Sequence, residues 1–225
     1  MRRTIGVIGA LVFAAAAASA NGLSSKETKR IEEAAAVLKE IHAVPEKDIP
    51  QELCQKADCV IVVPSMKKAA FVIGGEYGKG LMSCRKGGAW TAPVFMEVGK
   101  GSWGLQIGAQ SIDLVLLVMN DRGMDKLLQD KVTLGAEASV AAGPVGRDAR
   151  AGTDAQMGAE ILSYSRTQGL FAGINLSGGV LRPDNEDNRD LYGKDIAPRD
   201  VLAGGKVTPP PAAQPFMDAL RQTGK

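Results

Sequence analysis

"WGLQIGAQSIDLVLLVMN", residues 103–120, carries polar side chains through its first half and ends in one of the most apolar runs of the chain. It can be a membrane span, a buried helix or a strand of a soluble core. A spanning helix needs about 20 predominantly apolar residues, whereas the uninterrupted apolar run here extends only from Leu114 to Met119. Leu105, Ile107 and Ala109 are apolar at odd positions, against Gln106 and Gln110. From Ile112 onward the apolar positions Ile112, Leu114, Leu116 and Val118 are even. A phase slip of one residue near Gln110-Ser111 is what a β-bulge does to a strand. Val115, Leu117 and Met119 make the second face apolar too, so this end is expected to be covered on both sides. The stretch reads as a bulged or broken central strand, with a buried helix as the alternative.

Outward from it, the same period of two recurs. "KVTLGAEASVAA" and "LFAGINLSGGVL" alternate apolar and polar residues, as half-buried antiparallel strands do. "GGEYGKG", "GKGSWG" and "SGG" read as glycine turns between strands, and "CVIVVP" as a short β-branched strand. Upstream the period changes: Ile31, Ala34, Ala35, Leu38 and Ile41 fall on one face of a helix over residues 24–43. Asp48 and Pro50 then signal a short helix reaching to about Ala57. "NDRGMDKLLQD" offers Asn120 or Asp121 as a helix cap, and Asp184 can cap a further turn. The expected architecture is α+β: a curved antiparallel sheet, open or nearly closed into a barrel, with helices packed against it. "VTPPPAAQPF" begins a proline-rich C-terminal tail, residues 206–225, expected to lie outside the fold.

The first twenty residues read as a secretory signal peptide. Arg2 and Arg3 precede a continuous apolar stretch, and Ala18-Ser19-Ala20 is a small-x-small cleavage site. The protein is therefore expected to be exported, periplasmic or secreted. Two of the 27 basic residues and none of the 25 acidic ones fall in this leader, so the remainder is neutral. That balance argues against general affinity for nucleic acid, which needs a strongly basic surface. The charge is unevenly spread, however. Lys56, Lys67, Lys68, Lys79, Arg85, Lys86 and Lys100 outnumber the acids between residues 56 and 100, whereas acids dominate further on. A modest basic side of this kind can meet anionic lipid headgroups, although ordinary surface lysines give the same pattern.

Three cysteines in an exported chain raise the question of a disulfide. Cys54 and Cys59 lie at a helix-to-strand junction where the chain can bend to join them, leaving Cys84 over; three small buried hydrophobes are the alternative. No spacing fits a metal site, and no cofactor is expected. Signs of catalysis are few. His42, the one histidine, stands near the end of the first helix with no nucleophile motif beside it. "GGEYGKG" lacks the Ser or Thr of a phosphate loop, and "DNEDNRD" lacks the glycine and terminal glutamate of a calcium loop.

"VPSMKKAAFVIGGEYGKGLMSCR", "WTAPVFMEVGKGSWGLQIGAQSIDLVLLVMN", "TLGAEASVAAGPVGR" and "SYSRTQGLFAGINLSGGVLRPD", in this order and followed by "YGKDIAPRDVL", resemble the SYLF domain family. The resemblance runs from about Lys26 to Leu202, within a domain spanning residues 21–205. It implies a non-catalytic lipid-binding module, since eukaryotic members bind phosphoinositide-rich membranes through an amphipathic N-terminal helix, and some bind actin. Carried over by position, that helix supplies Lys26, Lys29, Arg30 and Lys39, with Lys67 and Lys68 nearby as further lipid-binding candidates. The helix also carries Glu27, Glu32, Glu33 and Glu40, so it has no net charge, and an export signal places it away from actin. Phospholipid or an anionic membrane surface is the expected partner, with no transmembrane span after the leader. The alternative is an interaction protein of the cell envelope whose first helix packs on its own sheet. Burial of Ile31, Leu38 and Ile41 distinguishes the two.

Overall fold

The computed structural model describes residues 23–44, 47–70, 73–103, 108–129, 131–146, 158–204 and 207–223. The expected leader lies outside them. At the centre is β1 (Cys59–Ala70), flanked by β2 (Ile73–Lys86) and β5 (Gly108–Val118). The sheet continues through β4 (Val94–Trp103) and β10 (Val180–Pro183) to β6 (Val132–Thr133) on one side. On the other it runs through β8 (Ile161–Thr167) to β7 (Val140–Ala142). Two short strands, β3 (Ala89–Trp90) and β9 (Leu170–Gly173), pair off this path with β2 and β8. The result is α+β, a strongly curled half-barrel. Its pairings are antiparallel except between β7 and β8, which run parallel and make the sheet mixed.

Both faces of the central strands are buried, which is why "CVIVV" and "LVLLV" are apolar without alternation. Val60, Val62, Val115 and Leu117 join the core under α1 (Ser25–Lys39), α2 (Gln51–Lys56) and the C-terminal helix. Cys59, Ile61, Val63, Leu114, Leu116 and Val118 join a second core with α3 (Asp121–Leu127) and α5 (Pro198–Leu202). The expected double coverage of this end of the opening stretch is therefore observed.

The expected phase slip is displaced. Residues 108–112 pair with β1 in unbroken register, and the irregularity falls on β1 itself, between Val63 and Met66. β1 also carries one residue more than β2 over the span from Val62 to Lys67. The extra residue sits at Pro64-Ser65: proline has no N–H to donate to a ladder, and Ser65 adopts φ 52°. β2 accommodates the bend with glycine. A Cβ on Gly80 would stand 2.1 Å from the Val62 carbonyl oxygen, and one on Gly78 2.5 Å from Val63 Cγ1.

"GGEYGKG" and "GKGSW" are thus not turns but the bodies of β2 and β4, and in β2 Gly78 and Gly80 permit close packing against β1. "KVTLGAEASVAA" divides into β6 and β7 around a turn at Gly135, and "LFAGINLSGGVL" into β9 and the start of β10. The β8–β9 hairpin turns on Gln168 and Gly169, both at positive φ.

The disulfide also differs from expectation. Cys59 bonds Cys84, its register partner across β1 and β2, while Cys54 remains a buried free thiol. Cys54 faces the core under α1, whereas Cys59 faces the opposite core, so the five-residue separation does not bring them together.

The C-terminal segment is likewise part of the fold. After a 3₁₀ turn at Pro211–Ala213, α6 (Gln214–Thr223) packs Phe216, Met217 and Leu220 against the core that holds Ile31, Ala34 and Leu38 of α1. The prolines end the preceding chain and start the helix; they do not make a loose tail. Among the described residues, no helix is long and apolar enough to cross a membrane.

Candidate functional site

α1 begins with a reciprocal cap. Glu27 N–H donates to Ser24 Oγ at 3.3 Å, and Ser24 N–H donates to Glu27 Oε2 at 2.5 Å. This consumes one of the four glutamates that balance the helix charge and buries it. Ile31 and Ile41 are 0% exposed and Leu38 is 2% exposed, so the apolar face of α1 is covered by the domain. The polar face is left, and it borders a cleft.

That cleft, about 410 Å³, lies between the first half of α1 and the bulge of β1. Lys26, Lys29, Arg30 and Glu33 form one wall, and Lys67, Tyr77 and Lys79 another, with Pro64, Ser65 and Gly78 between them. Register explains the second wall: Lys67 pairs with Tyr77, and Lys79 follows two residues on, so all three project from one face. The extra residue at Pro64-Ser65 sets which face Lys67 takes.

Two of these cations are neutralised from behind. Asp184 caps α4 (Asn185–Tyr192), accepting the Asp187 N–H at 3.3 Å. Asn188 pins that helix to β4, accepting from Phe95 N–H and donating to Phe95 O, each at 2.8 Å. Asp184 and Asp187 are thereby held beside Lys79, at 2.5 and 3.4 Å, and beside Arg30, which pairs closely with Asp187 and stacks 5.2 Å above the Phe95 ring. Burial alone would lower the Lys79 pKa, but the two carboxylates outweigh it and raise it. Burial and the neighbouring Asp187 raise Asp184, whereas at Asp187 burial is outweighed by hydrogen bonds with Asp184 and Arg30, which lower it.

The remaining cations are freer. Lys29 meets Glu33 at 3.6 Å in an exposed pair, and Lys67 donates to Ser111 Oγ at 3.3 Å. Neither Lys67 nor Lys26 has an acidic partner among the described residues. Tyr77, 49% exposed, closes the rim and donates its hydroxyl to Glu97 Oε2 at 2.8 Å.

Of the residues expected to form a site, Lys26, Lys29, Arg30 and Lys67 thus converge. Lys68 and Lys39 do not. The next residue of an extended strand points the other way, and Lys68 pairs with Glu76 at 3.0 Å. Lys39 is at the far end of α1. Lys79, which the sequence offered only as one of the basic residues between positions 56 and 100, and Tyr77 were not singled out because "EYGKG" reads as a turn; their spacing of two is the signal that a strand would have exposed.

A model of the Ysc84 family, described as Las17-binding protein actin regulator, matches residues 99–223. The chain belongs to this family. The resemblance to the SYLF family is thereby borne out, SYLF and Ysc84 naming one domain. An SH3 domain-containing protein of Schizosaccharomyces pombe is 38% identical over 164 residues, 71% of this chain and 38% of that protein. LAS seventeen-binding protein 3 of Saccharomyces cerevisiae is 32% identical over 177 residues, 76% of this chain and 38% of the relative. Human SH3 domain-containing YSC84-like protein 1 is 32% identical over 199 residues, 85% and 57% of the two chains. The chain thus spans less than two thirds of each of these relatives. The Ysc84 match extends through α6, consistent with that helix completing the domain. The family description and the name of the Saccharomyces cerevisiae relative speak of binding and regulation.

Proposed function

We propose that this Ysc84-family chain is an exported, non-catalytic protein that associates peripherally with anionic phospholipid surfaces. The observation that supports this reading is the convergence of Lys26, Lys29 and Arg30 with Lys67, from segments far apart in sequence, on one open face. The mode of contact differs from helix insertion. Amphipathic helices bind membranes through buried apolar area plus charge, and the apolar side of α1 is already occupied by the fold. Contact through the folded cationic face is then mainly electrostatic, and screening by salt weakens it.

Sedimentation of the purified protein with phosphatidylcholine vesicles, with and without an anionic lipid, is the test. Binding that needs the anionic lipid and falls with added salt is expected. No sedimentation with any composition overturns the reading.

Burial of Ile31, Leu38 and Ile41 favours a second reading, an interaction protein of the cell envelope without a lipid site. A cationic face that captures a protein partner but no vesicle would establish it.

A further inference from the structure

We infer that Asp184 and Asp187 act as an acid-sensitive latch, in which proton uptake by the pair releases Lys79 and adds one positive charge to the surface that meets the membrane. The inference rests on the membrane reading of this face and names what regulates it. Three features carry it.

The first is the placement of buried acids behind an open basic surface. The Asp184 side chain is 4% exposed, whereas Lys79 is 29% exposed and lines the open face. Asp184 Oδ2 lies 2.5 Å from Lys79 Nζ and 3.9 Å from an Arg30 guanidinium nitrogen. Asp187 Oδ2 lies 3.4 Å from Lys79 Nζ and pairs closely with Arg30. Two cations on the outer surface are thus cancelled by two carboxylates beneath it.

The second is the closeness of the two acids. Both reach the same ammonium group from the start of one helix, α4. Like charges held together in a partly buried site resist double ionisation, so the pair takes up its first proton more readily than separated aspartates do. Burial, and then the neighbouring Asp187, accordingly raise Asp184. The other charged or titratable groups on the packed elements are engaged or exposed. Glu27 of α1 is held in the helix cap, and Tyr77 of β2 donates to Glu97 of β4, which also holds Arg182 of β10. Lys26, Lys29 and Glu33 line the open side of α1. Glu186, Arg189 and Asp190 of α4 are exposed.

The third is the charge that results. Five cations and Glu33 line the face, with the two aspartates behind it, an excess of two positive charges. After one proton is taken up, Arg30 and Lys79 share a single carboxylate and the excess becomes three. One more positive charge near an anionic surface corresponds to about fivefold in binding.

Sedimentation with mixed phosphatidylcholine and phosphatidylglycerol vesicles at about pH 7 and about pH 4.5 compares the parent protein with Asp184→Asn and Asp125→Asn. Asparagine caps a helix as well as aspartate does, so Asp184→Asn keeps the acceptor for the Asp187 N–H. This variant is expected to bind about fivefold more tightly than the parent at neutral pH and to gain correspondingly less on acidification. Asp125→Asn removes the same charge from an exposed position on α3 and is expected to behave as the parent does. The carbon-13 shift of the Asp184 carboxyl, followed against pH without vesicles, is expected to show proton uptake above the ordinary aspartate value of about 3.9.

An Asp184 carboxyl that stays ionised through that value overturns the latch whatever the vesicles show. Equal binding by the parent and a folded Asp184→Asn at neutral pH, or an equal gain in Asp125→Asn, also overturns it and leaves the membrane reading standing. The expected titration with no sedimentation of any variant overturns the membrane reading and leaves the proton-linked release of Lys79.

Discussion

Ser65 donates its backbone N–H to Asp113 Oδ1 at 2.9 Å, tying the bulge of β1 to the neighbouring strand β5. The other carboxylate oxygen of Asp113 accepts from Arg166 Nε at 2.8 Å, and Arg166 reaches on to Glu40 at the end of α1. One carboxylate thus joins three elements around the residue where the sheet changes register. Asp113→Ala is expected to destabilise the protein by about 1–3 kcal/mol, as the loss of hydrogen bonds to a charged group does. Asp113→Asn, which keeps an acceptor for Ser65, is expected to lose less. Urea denaturation of both variants measures the difference.

Gly80 and Gly101 give a paired test of strand packing. A Cβ on Gly80 meets backbone at 2.1 Å, whereas one on Gly101 meets nothing within 4 Å. Gly80→Ala must push β1 away and is expected to cost about 3 kcal/mol or more; Gly101→Ala is expected to be near neutral. Thermal melts of the two variants are the check.

The cysteine pairing can be read chemically. Unfolded but unreduced protein is expected to show one reactive thiol, Cys54, and a peptide map linking Cys59 to Cys84. In the folded state burial pushes the Cys54 thiol up to about 12, so alkylation is expected to be slow at neutral pH. Replacing Cys59 and Cys84 by serine frees a loop closed over 25 residues and is expected to cost about 3 kcal/mol.

Glu160 predicts an acid limb in the stability profile. Burial raises its pKa, but two hydrogen bonds from Lys126, at 2.7 and 2.8 Å, and one from the Ser139 N–H outweigh it, so the carboxyl is held below the usual range. A lowered folded-state pKa gives stability that is present above the unfolded value, about 4.3, and lost as pH falls through the folded value. Glu160→Gln is expected to cost about 1–3 kcal/mol at neutral pH. The gap from the parent should narrow as pH falls through that window, as followed by denaturation at a series of pH values.

The C-terminal helix has a direct test of its own. Phe216 is 0% exposed against α1, and Phe216→Ala is expected to cost about 3–5 kcal/mol by leaving a cavity. A loose tail would tolerate the change, so the melting temperature separates the two cases.

Several elements were legible from local chemistry. The caps at Asn120 and Asp184 formed where short polar side chains precede a helical period, and α1 followed its apolar spacing. The α+β class and the double burial of Leu114 to Val118 followed from periodicity. Turns were less legible, because glycine signals both a bend and a close approach of strands. In "GGEYGKG" the second meaning held: Gly78 and Gly80 lie under the β1 bulge. The proline-rich segment misled for a related reason, since proline marks the start of a helix as well as an extended linker.

Local order along the chain therefore established the kinds of element, their caps, their family motifs and the lysines worth considering. Tertiary packing established which lysines lie together. Helix charge alone shows no excess at α1, because Glu27 and Glu33 count equally with Lys26 and Lys29. Folding breaks that equality by burying Glu27 in a cap and by bringing Asp184 and Asp187 from the other end of the chain to Arg30 and Lys79. One extra residue at Pro64-Ser65 then directs Lys67 toward the same cleft and Lys68 away from it. Charge balance in a cleft is a sum over neighbours in space, and the contributing residues here are separated by as many as 157 positions.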